Sequence, residues 1–145
     1  LLKIKKQTGS VTNYPSGKKL NNKEIFALPV TVLIPAALPD VINSSNISQI
    51  KAKIIVEGAN IPMREEFEKK LHDRGVLIIP DIIANAGGVI SSYAEHRGYD
   101  SKKMFKLVEQ KVTASTRALL SQLAKSDKTP REISLQLAKK KLGLK

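Results

Sequence analysis

Cysteine and tryptophan are absent from this sequence of 145 residues, and the aromatic residues number only three Phe and three Tyr. Without cysteine the chain forms neither disulfides nor thiolate metal sites, and nothing indicates an oxidising compartment. No apolar run approaches the roughly 20 residues that a membrane helix requires, and no signal peptide begins the sequence. These absences predict a soluble, cytoplasmic protein.

Only two histidines are present, and they are far apart. His72 falls on a predicted helix among charged residues, where a solvated side chain is expected, and His96 is expected at the surface end of another helix. Neither has a cysteine or a cluster of acids nearby, so no metal site is predicted.

The length corresponds to one domain, because a chain of this size buries roughly 70% of its unfolded surface. The sequence begins at Leu1 rather than at a methionine. We therefore expect it to be a portion of a longer translation product.

The net charge of +12 is unevenly distributed. Residues 1–24 hold six lysines and one acid, residues 25–98 hold seven basic and eight acidic groups, and residues 99–145 hold twelve basic and four acidic groups. A nucleic-acid module normally combines a basic face with aromatic stacking residues or a reading helix. Here the lysines fall on the solvent side of predicted helices, so solvated faces are favoured over a phosphate-binding surface.

Three short apolar runs predict a parallel sheet. Each run is nearly continuous in apolar character and is bounded by Gly, Pro or Asn, as expected for strands that are buried on both faces. The runs begin at Val30, Ala52 and Gly75, and aligning Val32, Ile55 and Ile78 gives one constant spacing. Strands joined by right-handed crossovers at this spacing make half of a doubly wound α/β sheet.

Helix signals separate and follow these strands. Ser44 to Asn46 offer caps for a helix with Ile47 and Ile50 at helical spacing, and residues 63–75 predict a helix that ends at Gly75 in a left-handed cap. Ser101 is predicted to cap a long helix with an apolar stripe, and Thr129 to start a last helix with a capping box. The stripe comprises Met104, Val108, Val112, Ser115, Leu119 and Leu123.

Small residues and amides follow the carboxyl ends of the three strands, where ligands bind in open α/β sheets. The segments are Pro35-Ala36-Ala37, Gly58-Ala59-Asn60, and Pro80-Asp81 leading to Asn85-Ala86-Gly87-Gly88. Small residues let a flat ligand approach the backbone, glycine frees the chain to turn into a helix, and an asparagine amide both donates and accepts in one plane. The alternative is structural, with the glycines capping a loop and the asparagines satisfying local backbone groups.

These residues carry a family resemblance. The segments "IPAALPDVI", "KAKIIVEGANIP" and "RGVLIIPDIIANAGGVISSYAEH" resemble the C-terminal, nucleotide-binding domain of the glutamate, leucine, phenylalanine and valine dehydrogenases, most closely the glutamate dehydrogenases. The preceding "TGSVTNYPSGKKLNNKEIFAL" resembles the loop and short helix before those motifs. The resemblance implies a partial doubly wound, Rossmann-like fold, with residues 1–98 as the C-terminal half of a dinucleotide-binding domain and residues 99–145 as a helical tail packing on it.

The resemblance also implies a function. The family interconverts an amino acid and its 2-oxo acid, with release of ammonia and transfer of hydride to NAD or NADP. Asn60 and Asn85 would contact the ribose or nicotinamide end of the cofactor, Ala36 and Ala37 would line its path, and Ser92 would reach the substrate carboxylate. A full-length member is expected to form a homo-oligomer.

The sequence also departs from the family pattern. It has no Gly-rich phosphate turn, since Gly9 and Gly17 have no preceding strand, and Arg64-Glu65 stands where many members have Thr and Pro. The family's catalytic lysine and aspartate belong to a separate N-terminal domain, so no catalytic residue is expected in this chain, and the isolated chain is expected to be inactive. Asp81 is a further candidate, although a bond to nearby backbone is the commoner role at a strand end.

Two other hypotheses remain open. The chain is also compatible with a truncated paralogue that kept the fold as a binding or assembly module without catalysis. A third hypothesis, nucleic-acid binding through the lysine-rich ends, ranks below both.

Overall fold

A computed structural model describes residues 1–144. They form an α/β fold in which three strands are followed by a helical segment, as predicted. The elements in chain order are α1 (Leu2–Thr8), α2 (Asn22–Phe26), β1 (Val32–Leu33), β2 (Ile54–Val56), α3 (Glu65–Asp73), β3 (Leu77–Ile79), α4 (Asp81–Ala84), α5 (Gly87–His96), α6 (Ser101–Leu123) and α7 (Pro130–Lys141).

The strands form one parallel sheet in the order β1-β2-β3. Ile55 pairs with Ile78, as the predicted spacing requires. Val32 pairs with Ile54, so the pairing of β1 with β2 is offset by one residue from the constant spacing of the apolar runs. Apolar runs without alternation do not reveal which residue faces which side, and the register is set by packing instead.

The sheet is packed on both faces. On one face Ile55 and Ile78 contact Leu71 of α3 and Met63 in a buried cluster. On the other face Ile79 packs with residues of α4, α6 and α7 in a second cluster, which comprises Ile79, Ile83, Leu119 and Ile133. Because side chains alternate along a strand, β3 contributes to both clusters, and this explains its continuous apolar character.

Strand β1 does not fit the expectation of burial on both faces. Val32 is 43% exposed, and Ile34, directly after the strand, is 59% exposed. The strand lies at one edge of the sheet, and among residues 1–144 only β2 pairs with it.

The helix predicted at Ile47 is a single 3₁₀ turn, Ile47–Gln49. Asn46 precedes this turn but makes no cap hydrogen bond. Its amide oxygen accepts the N–H of Asn43, upstream of the turn, and its amide nitrogen donates to the Val41 carbonyl, so the side chain closes a loop instead. Helix α3 is as predicted and ends at Gly75 with φ of 81°. Helix α1 was not anticipated from the sequence.

The helical segment packs on the sheet through helices α6 and α7. Helix α6 contacts α4 and α5, and α7 contacts α6 and β3. The capping box of Thr129 and Glu132 is present. The cap of α6 is Asp100, whose side chain accepts from the Lys103 N–H, so the prediction of Ser101 is wrong by one residue.

Every lysine among residues 1–144 is exposed, as the helix patterns indicated. Within the same part of the chain, no helix has the length and apolar character needed to cross a membrane.

Candidate cofactor-binding site

The carboxyl ends of β1 and β2 lie against each other. The Ala59 N–H donates to the Pro35 carbonyl at 2.9 Å, which extends the parallel pairing beyond the strands. A Cβ placed on Gly58 would lie 2.9 Å from the Ala36 Cβ, closer than side-chain carbons approach. Glycine at this position therefore permits the two strand ends to come together.

The two asparagines singled out in the sequence are in direct contact. The Asn85 amide nitrogen donates to the Asn60 amide oxygen at 2.5 Å. This hydrogen bond leaves the amide nitrogen of Asn60 as a donor and the amide oxygen of Asn85 as an acceptor for a ligand. Since Asn60 is exposed and Asn85 is half-buried, the pair lies at the surface of the strand ends.

A cavity of about 540 Å³ lies at the ends of β1 and β2. Ala36, Ala37 and Asn60 line it together, whereas Asn85 is outside the lining and reaches it only through Asn60. Arg64 also lines this cavity, where its guanidinium donates to both Asp40 carboxylate oxygens at 2.6 and 2.7 Å. Hydrogen bonds from Arg64 lower the pKa of Asp40.

Arg64 also occupies the cap position of α3. No side-chain cap hydrogen bond forms there, because a guanidinium has only donors and cannot accept a backbone N–H.

The segment after Asn60 has an unusual backbone. Ile61 adopts φ of 45°, a left-handed conformation that is costly for a β-branched residue. Two hydrogen bonds hold it there: the Ile61 N–H donates to an Asp81 carboxylate oxygen at 2.9 Å, and the Ile61 carbonyl accepts from the Asp40 N–H at 2.9 Å. Asp81 therefore binds backbone, the structural alternative that its position suggested.

A buried charge cluster lies behind the strand ends. It consists of Arg131 on α7 and three carboxylates, Glu57 after β2, Glu68 on α3 and Asp81 on α4. Arg131 donates to Asp81 at 2.6 Å, to Glu57 at 3.0 Å, and to both oxygens of Glu68. Glu57 is fully buried, and one of its oxygens accepts the Asp81 N–H at 2.8 Å.

The ionisation of this cluster follows from its surroundings. Burial, followed by the charge of Glu68, raises the pKa of Glu57 to about 8. Burial also opposes ionisation of Asp81, but hydrogen bonds from Ile61 and Arg131 outweigh it and lower the pKa of Asp81. The second oxygen of Glu57 has no hydrogen-bond partner among the described residues, so no donor there offsets the cost of ionising this buried carboxyl group.

Sequence interpretation missed Glu57, Glu68 and Arg131. One signal was present, because an acid that directly follows the apolar run "IIV" must be buried and needs a partner. The partner could not be identified, since Arg131 lies on a distant helix and resembles any surface arginine in the sequence.

The glycines of "NAGG" have another role than predicted. Gly87 and Gly88 are ordinary helical residues of α5, and neither has a positive φ. A Cβ on Gly87 would lie 3.4 Å from Val108 of α6, at the limit of ordinary van der Waals contact. Ser92 is exposed on α5, and its hydroxyl donates to the Gly88 carbonyl at 3.1 Å.

Other features of the molecule lie apart from these residues. A second cavity of about 540 Å³ opens between α5 and α6, lined mainly by apolar residues with Lys111 and Lys141 at its edge, and none of the predicted site residues lines it. His72 is half-buried on α3, contrary to the expected solvated side chain, while His96 is exposed. No cluster of three or more His, Asp or Glu side chains suited to a metal ion occurs within residues 1–144.

A family profile described as Glutamate/Leucine/Phenylalanine/Valine dehydrogenase matches residues 1–143. The chain belongs to this dehydrogenase family. The resemblance noted in the sequence is thus confirmed, and it extends through the helical segment.

The chain is also similar in sequence to individual members of the dehydrogenase family. The chain is 45% identical over 141 residues to a glutamate dehydrogenase of Aeropyrum pernix, covering 93% of the chain and 34% of that protein. It is 50% identical over 94 residues to an NADP-specific glutamate dehydrogenase of Saccharolobus shibatae, covering 65% of the chain and 22% of that protein. The chain thus spans about a third or less of the length of these relatives.

Solved structures share the fold. An L-tryptophan dehydrogenase from Nostoc punctiforme superposes with a TM-score of 0.80 at 28% identity, over 98% of this chain and 40% of that one. A hetero-hexameric glutamate dehydrogenase from Thermus thermophilus, in its Leu-bound form, gives a TM-score of 0.80 at 25% identity, over 97% of this chain and 34% of that one.

The residues at the strand ends fit one end of the dinucleotide that this family uses. Ala36 and Ala37 line the cavity with small side chains, and the Asn60 and Asn85 amides offer a donor and an acceptor to a carboxamide or a ribose. The phosphates would need other groups, because the sequence contains no Gly-rich turn between a strand and a helix.

Proposed function

We propose that the chain forms the nicotinamide side of the cleft in an NAD(P)-dependent amino-acid dehydrogenase of the glutamate type. The observation that carries this proposal is the hydrogen bond between Asn85 and Asn60 at the strand ends. Within residues 1–144 it joins the last two strand ends into one polar surface beside small, uncharged residues.

In this proposal each residue has a defined task. The amides of Asn60 and Asn85 orient the carboxamide or ribose, and Ala36 and Ala37 line its path without obstructing it. The Ser92 hydroxyl turns from the Gly88 carbonyl to donate to the substrate carboxylate. When bound, the nicotinamide ring accepts or donates the hydride. The residues of this chain bind and orient, and the general acid and base come from a separate N-terminal catalytic domain.

A titration with nicotinamide mononucleotide, followed by ¹H–¹⁵N NMR of the 145-residue chain, tests the binding part. We expect the Asn60 and Asn85 side-chain signals to shift on titration. Either Asn60→Ala or Asn85→Ala should weaken binding about tenfold, because each removes one ligand hydrogen bond worth about 1.4 kcal/mol. Asn13→Ala is the matched control, since Asn13 is an exposed asparagine far from the site in sequence.

An equal loss of mononucleotide affinity in all three variants would refute the assignment of the asparagines. So would a titration of the wild type that shifts only signals from other surfaces. A separate assay of the isolated chain with 2-oxoglutarate, ammonia and NADPH should show no turnover. Measurable turnover would contradict the proposal that acid and base chemistry is supplied from outside this chain.

A further inference from the structure

Both site asparagines are held through a single residue, Asp81. Its carboxylate accepts the N–H of Ile61, the residue after Asn60, at 2.9 Å. Its carbonyl accepts the N–H of Asn85 at 3.0 Å. The orientation of Asp81 therefore determines the relative position of the two amides, because both segments are attached to it.

Asp81 is in turn held by hydrogen bonds to Arg131 and Glu57 of the buried charge cluster. Arg131 donates to one of its carboxylate oxygens at 2.6 Å, while its own backbone N–H donates to Glu57 at 2.8 Å. Arg131 also contacts Glu57 and Glu68, so that one guanidinium connects α7 to the end of β2, to α3 and to the start of α4. A guanidinium suits this position because its five donors lie in one plane and can reach three carboxyl groups at once.

The strained backbone at Ile61 makes this contact necessary. A β-branched residue with φ of 45° relaxes to an ordinary conformation unless its neighbours prevent it. The Asp81 carboxylate supplies one of the two hydrogen bonds that prevent it, and Arg131 holds that carboxylate in place. Loss of Arg131 would free Asp81 to turn, Ile61 to relax and Asn60 to move away from Asn85.

We infer that Arg131 is a positioning residue, which acts from the C-terminal helix through Asp81 to hold the Asn60–Asn85 pair in its ligand-binding geometry. Only the purpose of this role, the binding of a cofactor, rests on the proposed function. The mechanical coupling can be tested without any ligand. Arg131 does not line the cavity at the strand ends, so its effect on a ligand is indirect.

The test uses the 145-residue chain with Arg131→Met, which removes the charge, and Arg131→Lys, which keeps it but loses the planar fork. Two controls accompany them. Arg117→Met removes an exposed arginine of α6, and Leu119→Ala destabilises the core without touching the charge cluster. Three quantities are measured well below each melting temperature. They are the hydrogen-exchange rate of the Ile61 amide, the NMR signals of the Asn60 and Asn85 side chains, and the affinity for nicotinamide mononucleotide.

We expect Arg131→Met to accelerate exchange at Ile61 at least tenfold and to weaken mononucleotide binding at least fivefold. Arg131→Lys should show intermediate values, and both controls should match the wild type. If Arg131→Met does not fold, Arg131→Lys and Asp81→Asn replace it, and both should accelerate exchange at Ile61.

Unchanged Ile61 exchange and unchanged asparagine signals in the Arg131 variants would overturn the inference. So would equal changes in Leu119→Ala, because they would show a general effect of lower stability. If the wild type does not bind the mononucleotide but Ile61 and the asparagine signals still respond to Arg131, the positioning role stands and the proposed function fails.

Discussion

The charge state of Glu57 is expected to affect the stability of the fold. It is fully buried, faces Glu68, Asp81 and Arg131, and its pKa is raised to about 8 in the folded chain from an ordinary value near 4.5. Between these two values the folded state retains a proton that the unfolded state has released. Stability therefore falls as pH rises through this range, by up to about 1.4 kcal/mol per pH unit.

The substitution Glu57→Gln tests this dependence, because glutamine resembles the protonated acid in shape and charge. Urea denaturation of the wild type between pH 5 and pH 8 should show a declining free energy of unfolding, and the variant should show a flat profile over the same range. Both proteins should lose stability in strong acid, since the lowered pKa of Asp81 acts in the opposite direction. Parallel profiles between pH 5 and pH 8 would show that Glu57 is ionised in the folded chain.

At the scale of elements, a one-residue difference in the cap of α6 can be measured. Asp100 accepts the Lys103 N–H at 2.8 Å, whereas Ser101 is the first helical residue and is exposed. We expect Asp100→Ala to lower the free energy of unfolding by about 1 kcal/mol and Ser101→Ala to change it by less than about 0.5 kcal/mol. Thermal denaturation of the two variants measures both changes. A larger loss of stability in Ser101→Ala than in Asp100→Ala would show that Ser101 is the cap.

The same example shows which elements the sequence could predict. Thr129 and Glu132 were identified correctly because a capping box involves residues three apart, and Gly75 because a helix end favours a left-handed glycine. The 3₁₀ turn at Ile47 was not predicted, because the Asn46 amide bonds to the Val41 carbonyl and closes a loop. The register of β1 was not predicted either, since packing between distant segments determines it. For the candidate site, the sequence indicated both asparagines, but not that Asp81 and Arg131 connect them.

At the scale of the whole molecule, strand β1 forms an edge of the sheet with exposed apolar side chains. Strands of parallel sheets are normally covered on both faces, yet Val32 is 43% exposed and Ile34 is 59% exposed. An open edge with exposed apolar side chains favours pairing with another strand. The isolated chain should therefore self-associate through β1 as its concentration rises.

The substitution Ile34→Lys should weaken this self-association at least tenfold, equivalent to about 1.4 kcal/mol, because a lysine at the strand end must lose hydration on pairing. The melting temperature at low concentration should barely change, since the side chain is already mostly exposed. Val89→Lys on α5, where the valine is 78% exposed, adds the same charge away from β1 and should leave association unchanged. Sedimentation velocity over a concentration series measures both, and equal effects of the two substitutions would mean that net charge, rather than the β1 edge, controls association.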